Sequence, residues 1–399
     1  MAEGQTGPKP PNVRGPEPDA ERWPQSSISN KPKSIRALDA ASARLAGDGY
    51  RIWGRAPYNT ENQMAKRSTK VQFVGIDVSA KTLQVAVGGP SGVRDLEIAN
   101  DAVGHQKLCK LLTKKGLSVR VCLEATGTYS LDVAIALSTA EGVEVMIVNS
   151  KSGRHFAEAQ LRREETDRVD ARALMDYAQR MPFVVWARPS RERLHLRQIA
   201  RRISSLIEEA TAERNRRAAA LATGETPKLV LCDIDEGIAQ LERRVDKLEA
   251  AALELIAGAP DLTRLLRVVT SIKGIAERSA IRLLGELLML PADMSPREVV
   301  AHAGLDPRPR QSGTRDAKRQ ISRVGNGRLR AALFLPAMVA ARFEPAVRAV
   351  YERLVERNKL KMVATVAIMR RLLVALWVMI LREQPFDPEK FGAKAVTAE

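Results

Sequence analysis

Negative charge and cysteine are the two things this chain has little of. Against 64 lysines and arginines stand 47 aspartates and glutamates, a formal charge of +17 with a sequence pI near 10.1. An excess of that size repels itself unless it meets phosphates, so it points to a polyanionic partner, nucleic acid first. Cys109, Cys122 and Cys232 are the only cysteines. They are too few and too scattered for a zinc ribbon, their odd number argues against a disulfide framework, and a reducing compartment follows. No apolar run of signal-peptide type opens the sequence, and the one long apolar stretch, Met362 to Leu381, carries Arg370 and Arg371 at its centre. Two cations there disfavour a membrane span and predict a buried helix of a soluble protein with no membrane partner. Disorder of the whole chain is excluded as well, because 45% hydrophobic residues over 399 positions suffice for two or three cored domains.

What is there is most informative from Val71 to Val87, which reads as two strands. In the first, Val71, Phe73 and Gly75 lie on one face and Val74, Ile76 and Val78 on the other. Both faces are apolar, so the strand is central to a sheet. Asp77 breaks that pattern. An ionised carboxylate in such a place is costly unless a cation or several donors meet it, which marks a site, with metal the first candidate. The alternative is an Asp that accepts backbone N–H groups of the following turn.

Residues 1 to 69 hold seven prolines among the first 32 positions and no apolar periodicity, the composition of a disordered tail. A short helix is expected around Ile35 to Leu45, and Trp23, Trp53 and Tyr58 are available for docking. Beyond the two strands, strands and helices alternate. The pattern predicts a third strand near Val93 to Ile98, a helix from Asp101 to Lys115 and a strand at Val119 to Leu123. A helix from Tyr129 to Ala140 and a strand at Val143 to Val148 follow. That order means an α/β sheet with helices on its faces. Glu124 ends one strand and leads into Ala125-Thr126-Gly127-Thr128. Ligands of open sheets gather beyond the carboxyl ends of strands, so Asp77 and Glu124 can share a crevice. Thr166 is placed to cap a helix from Asp167 to Arg180, with Val169, Ala173 and Tyr177 as its apolar stripe. Asp167 and Asp170 fall on one face of its first turn. Acids there commonly just complement the helix dipole. Joined to Asp77 and Glu124, they make a set of oxygen donors of the kind that binds metal.

From about Ser190 the sequence turns helical. Ile234, Ile238, Leu241, Val245, Leu248, Ala252 and Leu255 follow a heptad seam. A helix with Leu196, Ile199, Ile203 and Leu206 precedes it, separated by Gly224-Glu225-Thr226-Pro227. A long helical hairpin is predicted, its seam pairing within the chain or with another subunit. Ser271-Ile272-Lys273-Gly274-Ile275-Ala276 resembles a helix-hairpin-helix turn, which offers backbone N–H groups to phosphate. Ser295-Pro296-Arg297-Glu298 opens a helix with a capping box. The stretch Arg308 to Arg330 carries eight Lys or Arg and a single acid, Asp316, and a loop that basic should lie against phosphates. Nucleic-acid contact is expected from Lys273, Arg308, Arg310, Arg315, Lys318, Arg319, Arg323, Arg328 and Arg330. Ser312, beside Gly313 and among these cations, is either a nucleophile or an ordinary turn serine. An apolar helix from Leu329 to Phe343 follows.

Four motifs occur in a fixed order: Gly75-Ile76-Asp77-Val78-Ser79, Leu123-Glu124-Ala125-Thr126-Gly127-Thr128-Tyr129, Thr166-Asp167-Arg168-Val169-Asp170-Ala171-Arg172 and Gln311-Ser312-Gly313-Thr314. On these, with a coiled coil between the third and fourth, the chain resembles the DEDD transposases of the insertion-sequence one-hundred-ten group, the bridge-RNA-guided recombinases. The resemblance covers about residues 71 to 390. It implies a RuvC-like, ribonuclease-H-type α/β domain, a helical coiled-coil insertion and a mainly helical carboxy-terminal transposase domain. It implies that Asp77, Glu124, Asp167 and Asp170 bind Mg2+ and that Ser312 joins DNA covalently. Donor and target DNA and a noncoding bridge RNA are the implied partners. The implied assembly is a homo-oligomer, a dimer or tetramer, in which acids of one subunit meet the serine of another. Two positions depart from the family pattern: Arg315 stands where a serine often follows Ser-Gly-Thr, and Ala276 replaces the second glycine of the helix-hairpin-helix turn. The expected division is a tail over 1–69, a RuvC-like domain over 70–187, a coiled-coil hairpin over 188–257 and a transposase domain over 258–395. A cytoplasmic, nucleoid-associated bacterial protein is expected.

Two other classes share parts of this pattern. Actin-like sugar kinases also carry a Gly-Ile-Asp strand, but a kinase has no need of a +17 charge or of the basic serine stretch. A Holliday-junction resolvase or ribonuclease of the same fold would use the acids alone, and so would keep its activity without Ser312.

Overall fold

Runs of Val, Ile and Leu with few breaks build the first half. The computed structural model describes residues 71–90, 92–113, 117–125, 127, 129–159, 167–308, 311–312, 315–316 and 320–392. The expected tail, with its helix around Ile35 to Leu45, lies outside the described residues, as does Thr166. Strands β1 (Val71–Val78), β2 (Thr82–Gly89) and β3 (Gly92–Ala99) form an antiparallel meander. Strands β4 (Ser118–Glu124) and β5 (Val143–Val148) extend it on the other side of β1, parallel to it, giving the order β3-β2-β1-β4-β5. β1 is therefore central, as its two apolar faces require.

Helices cover both faces. Val74, Ile76 and Val78 pack with Leu108 and Leu112 of α1 (Ala102–Leu112) and with Val133, Ala134 and Leu137 of α2 (Leu131–Ser138). Each such side chain, fully buried, contributes about 1.5–3 kcal/mol. The opposite face meets α4 (Asp167–Arg180), whose Ala171, Leu174, Met175 and Ala178 lie against Phe73, Ala86, Cys122 and Met146. The apolar stripe expected on α4, Val169, Ala173 and Tyr177, is borne out in part: Ala173 is buried and Tyr177, half-buried, packs on the core, but Ala171, Leu174 and Met175 carry the contact with the sheet and Val169 is only half-buried. The reason is Gly75. A Cβ there would stand 1.9 Å from the Ala171 carbonyl oxygen and 2.3 Å from the Met175 nitrogen. Helix backbone lies directly on strand backbone, and the turn of α4 nearest the sheet is the one that gets buried. An additional helix, α3 (Ser150–Ala159), follows β5 and was not expected from the sequence.

Residues 181–190 have no regular structure, although Trp186 packs on the first core and its N–H donates to the Val145 carbonyl at 2.7 Å. Beyond them everything is helical but for one excursion. Helices α5 (Arg191–Leu221) and α6 (Lys228–Ala257) form the predicted hairpin. Its seam pairs within the chain: Val245 and Ala252 are buried, and Arg214–Glu242 and Arg217–Asp235 ion pairs cross from α5 to α6. The base of the hairpin shares one continuous core with α7 (Pro260–Thr270), α8 (Glu277–Leu287), α9 (Pro296–His302), α10 (Gly327–Phe343), α11 (Pro345–Glu356), α12 (Lys361–Arg382) and α13 (Pro388–Gly392). Helix α12 is long and apolar enough to cross a membrane, but Ile368, Leu372, Leu373, Leu376 and Trp377 sit in the middle of that core. The capping box at Ser295 is formed, with Ser295 and Glu298 exchanging hydrogen bonds.

The basic stretch expected as a loop is in part a β-ribbon. β6 (Pro307–Arg308) pairs antiparallel with β9 (Gln320–Ile321), and β7 (Gln311–Ser312) with β8 (Arg315–Asp316). The register Ser312↔Arg315 leaves Gly313-Thr314 between them, a spacing that suits a two-residue hairpin.

Substituting Gly75 tests the close approach of α4. Gly75→Ala should destabilise the protein by about 2–3 kcal/mol through overpacking, read from denaturant unfolding. A stability equal to the wild type would show that α4 can lift off without penalty.

Candidate active site

The site is assembled where two parallel strands end. β1 and β4 run in register with Ile76 opposite Leu123, so the next residues along, Asp77 and Glu124, leave the sheet side by side. Both belong to the face on which Gly75 and Cys122 lie, the face that α4 covers. Because Gly75 admits α4 so closely, the first turn of that helix, with Asp167 and Asp170, arrives over the same strand ends. Asp77 and Glu124 are half-buried, and Asp167 and Asp170 are exposed. Helix α3 closes the other side: a Cβ on Gly153 would be 3.9 Å from Glu124 Oε2.

The electrostatics show the convergence. Burial, then repulsion from Asp167, Asp170 and Glu124, pushes the Asp77 carboxyl up from 3.8 to about 6, against the opposing effect of the Val78 N–H. The three other acids named from the sequence therefore all act on Asp77. Among the described residues no three His, Cys, Asp or Glu side chains are drawn together tightly enough to form a ready-made ligand cluster. The donor set is nonetheless of one kind, carboxylate oxygen, which suits a hard divalent cation rather than zinc.

Several supporting residues escaped the sequence reading. Asn100, just beyond β3, donates from Nδ2 to the Ser79 carbonyl at 2.8 Å and to the Tyr129 carbonyl at 3.2 Å. It thereby ties the turn after Asp77 to the turn after Glu124. Since its amide nitrogen donates, its oxygen accepts from His105 Nε2 at 2.8 Å. Burial holds His105 below the ordinary histidine range despite Asp132 and Asp101, so this prop is a neutral ring. Gln84 lies directly across from Asp77, is buried, and donates to Glu97 Oε2 at 2.7 Å. Arg172, on α4, grips Asp95 of β3 with Nε and Nη2 and fastens the acid-bearing helix to the far side of the sheet. Each of these roles depends on which residue stands opposite which, and the linear sequence carries no signal for that.

Ser312 lies at the end of β7, paired with Arg315 of β8. Of the residues expected to touch nucleic acid, Lys273 is exposed in the turn between α7 and α8, and Arg323 and Arg328 are exposed. Arg330 has a structural partner, its Nη1 donating to the Ala303 carbonyl at 2.8 Å. Arg308 and Arg315 lie on the ribbon strands, while Arg310, Lys318 and Arg319 lie outside the described residues.

Comparison with known proteins places this arrangement. A family model described as transposase matches residues 74–224, and one described as transposase of the IS116/IS110/IS902 family matches 266–352, together more than half of the chain. The chain belongs to this family of transposases and is an enzyme that recombines DNA. It is 25% identical over 321 residues to the pilin gene-inverting protein of Moraxella bovis, covering 79% of this chain and 97% of that protein. The pilin gene-inverting protein of Moraxella lacunata matches at the same identity and over the same shares.

Asp77 gives a pH signature. Between about 3.8 and about 6 the folded state holds a proton that the unfolded state has lost, so stability falls as pH rises through that window. In chelator, Asp77→Asn should therefore melt higher than the wild type at about pH 7.5 and lose that advantage by about pH 4. The same difference at both pH values would mean that the four carboxylates do not crowd one another.

Proposed function

We propose that this transposase exchanges DNA strands under RNA guidance, with Asp77, Glu124, Asp167 and Asp170 as metal-binding acids and Ser312 as the nucleophile. The observation that carries this is Asp77. It stands at the carboxyl end of the central strand, beside Glu124 and beneath the first turn of α4, and its carboxyl is pushed up to about 6 by burial and by the three other acids. A cation is what would relieve that repulsion. The strand order, an antiparallel meander followed by two strands parallel to β1, supports a ribonuclease-H-type, RuvC-like domain. Mg2+, when bound, would supply positive charge to a phosphate undergoing attack.

The chain's own groups supply the rest. Ser312 Oγ attacks phosphorus, a bond from phosphorus to a DNA oxygen breaks, and the serine proton ends on the departing oxygen. A hydroxyl end of the second DNA strand then attacks the same phosphorus, and Ser312 leaves with a proton restored. Each step replaces one phosphodiester by another, so no nucleotide cofactor is needed to drive it. Lys318, Arg319 and Arg323 contribute positive charge near the phosphate. The names of the pilin gene-inverting relatives, which describe DNA inversion, support a cut-and-rejoin reaction. Donor and target DNA and a noncoding guide RNA are the proposed partners of the basic surfaces, in the cytoplasm. The separate cores of residues 71–186 and 196–391 support an oligomer in which acids of one subunit meet the serine of another.

The test is excision of the element from a plasmid carrying the gene with its flanks. Asp77→Ala and Ser312→Ala should each lower excision by about 10³-fold or more. Mixing the two inactive proteins should restore part of the covalent protein–DNA product, because some assemblies pair an intact acid set with an intact serine. Wild-type excision by Ser312→Ala would leave the acids as the only chemistry. No recovery in demonstrably mixed oligomers would place acids and serine in one subunit.

A further inference from the structure

The ribbon that carries Ser312 leaves the helical core through a laced root. Ser322 N–H donates to the Asp306 carbonyl at 2.8 Å, Arg323 N–H to Gly304 at 3.1 Å and Asn326 N–H to His302 at 2.7 Å. The Ser322 hydroxyl meets the Asp306 carboxylate, and Arg330 holds Ala303. Gly325 has φ +120°, and a Cβ on it would stand 2.2 Å from the His302 carbonyl oxygen. The two sides of the root touch with no room for a side chain, so root and α10 form one rigid piece.

Asn326 joins that piece to the rest of the molecule. Its Oδ1 accepts from Leu329 N–H at 3.1 Å, capping α10, and its Nδ2 donates to Glu286 Oε2 at 2.8 Å. Glu286, on α8, is 5% exposed and takes Arg201 of α5 on both oxygens, at 2.8 and 3.2 Å. Burial pushes Glu286 up, yet the hydrogen bonds from Arg201 and Asn326 and the nearby Arg201 and Arg197 charges outweigh it and hold it low. Here α5 and α8 also approach most closely in substance: a Cβ on Gly285 would be 2.6 Å from Ala200 Cβ. Apolar packing alone would hold these helices together but would let them slide. A two-pronged guanidinium–carboxylate pair fixes distance and angle.

We propose that Glu286 is a positioning residue that pins the root of the Ser312 ribbon to the α5–α6 arm, so that the arm sets where the serine is presented. This role presupposes Ser312 as the nucleophile. A shift of α5 along its axis is transmitted through Arg201, Glu286 and Asn326 to the base of the ribbon, and the sheet domain with its acids has no part in that chain of contacts.

The experiment uses the full-length protein, amide hydrogen exchange across residues 302–326, and excision from the plasmid that carries the gene with its flanks. Asn326→Asp keeps the cap, since a carboxylate accepts from Leu329, but sets like charge against Glu286. Exchange should rise and excision fall, each about tenfold, with little change in melting temperature. Adding Glu286→Gln removes the like charge: the new amide donates to residue 326, and its single oxygen keeps one of the two Arg201 bonds. That double variant should recover part of both losses relative to Asn326→Asp alone. Arg201→Lys keeps the charge and loses the two-pronged grip, so it should loosen the root in milder form, and it decides the matter if Asn326→Asp does not fold. The clamp is overturned if the folded variants leave exchange and excision unchanged, or if the double variant folds and stays as slow as the single one. Ser312→Ala, run beside them, keeps the two claims apart. Retained excision there would remove the serine as nucleophile, while the exchange rates would still show whether Glu286 holds the root.

Discussion

A missing side chain at residue 75 governs the whole acid-bearing half. With any Cβ at that point, the Ala171 carbonyl and the Met175 nitrogen would be driven away from β1. Helix α4 would ride higher, and Asp167 and Asp170 with it, so the four acids would no longer share one field. The closeness serves electrostatics as much as packing. It brings two exposed carboxylates over a half-buried one and accepts the repulsion that follows, visible in the raised Asp77. Proteins tolerate such local unfavourable crowding where chemistry needs it and compensate with stable packing elsewhere. Here the compensation is the opposite face of the same strand, where Val74, Ile76 and Val78 are buried against α1 and α2.

The sheet was legible because its strands are written in Val, Ile and Leu with both faces apolar, and because Asp77 interrupts that text where a strand ends. The heptad seam and the capping box were equally plain, since both depend on short-range spacing. Whether the seam paired within or between chains was open, and the ion pairs from Arg214 and Arg217 to α6 answer it for this chain. Helix α3 escaped notice because Ser150-Lys151-Ser152-Gly153-Arg154-His155 has no apolar stripe to announce it. The stripe on α4 was legible only in part for a related reason: helical periodicity shows which residues can face a sheet, but the glycine on the partner strand decides how deep the helix sinks and so buries Ala171 and Met175 as well.

The residues that support the acids belong to a different category. Asn100, Gln84 and Arg172 gain their roles from cross-strand register and from loops that meet in space. Glu286 is similar. Within Arg282-Leu283-Leu284-Gly285-Glu286-Leu287-Leu288 it looks like an ordinary helix acid, and only the folded chain reveals that it is buried between the distant Arg201 guanidinium and the Asn326 amide. On the ribbon strands around Ser312 only Ile321 is β-branched, too little to signal strands, so the ribbon could not be foreseen from propensity.

The chain's two hydrophobic interiors have an evolutionary corollary. The cores built from residues 73–186 and the core of 196–391 use different side chains, with residues 187–190 between them. Substitutions too far apart to share a packing neighbour have free-energy effects that add. A lineage can therefore retune the acid-bearing half without re-solving the packing of the serine-bearing half, and the reverse. Packing epistasis is confined within each half, and a chimera joined within 187–190 inherits two interiors that were each already complete.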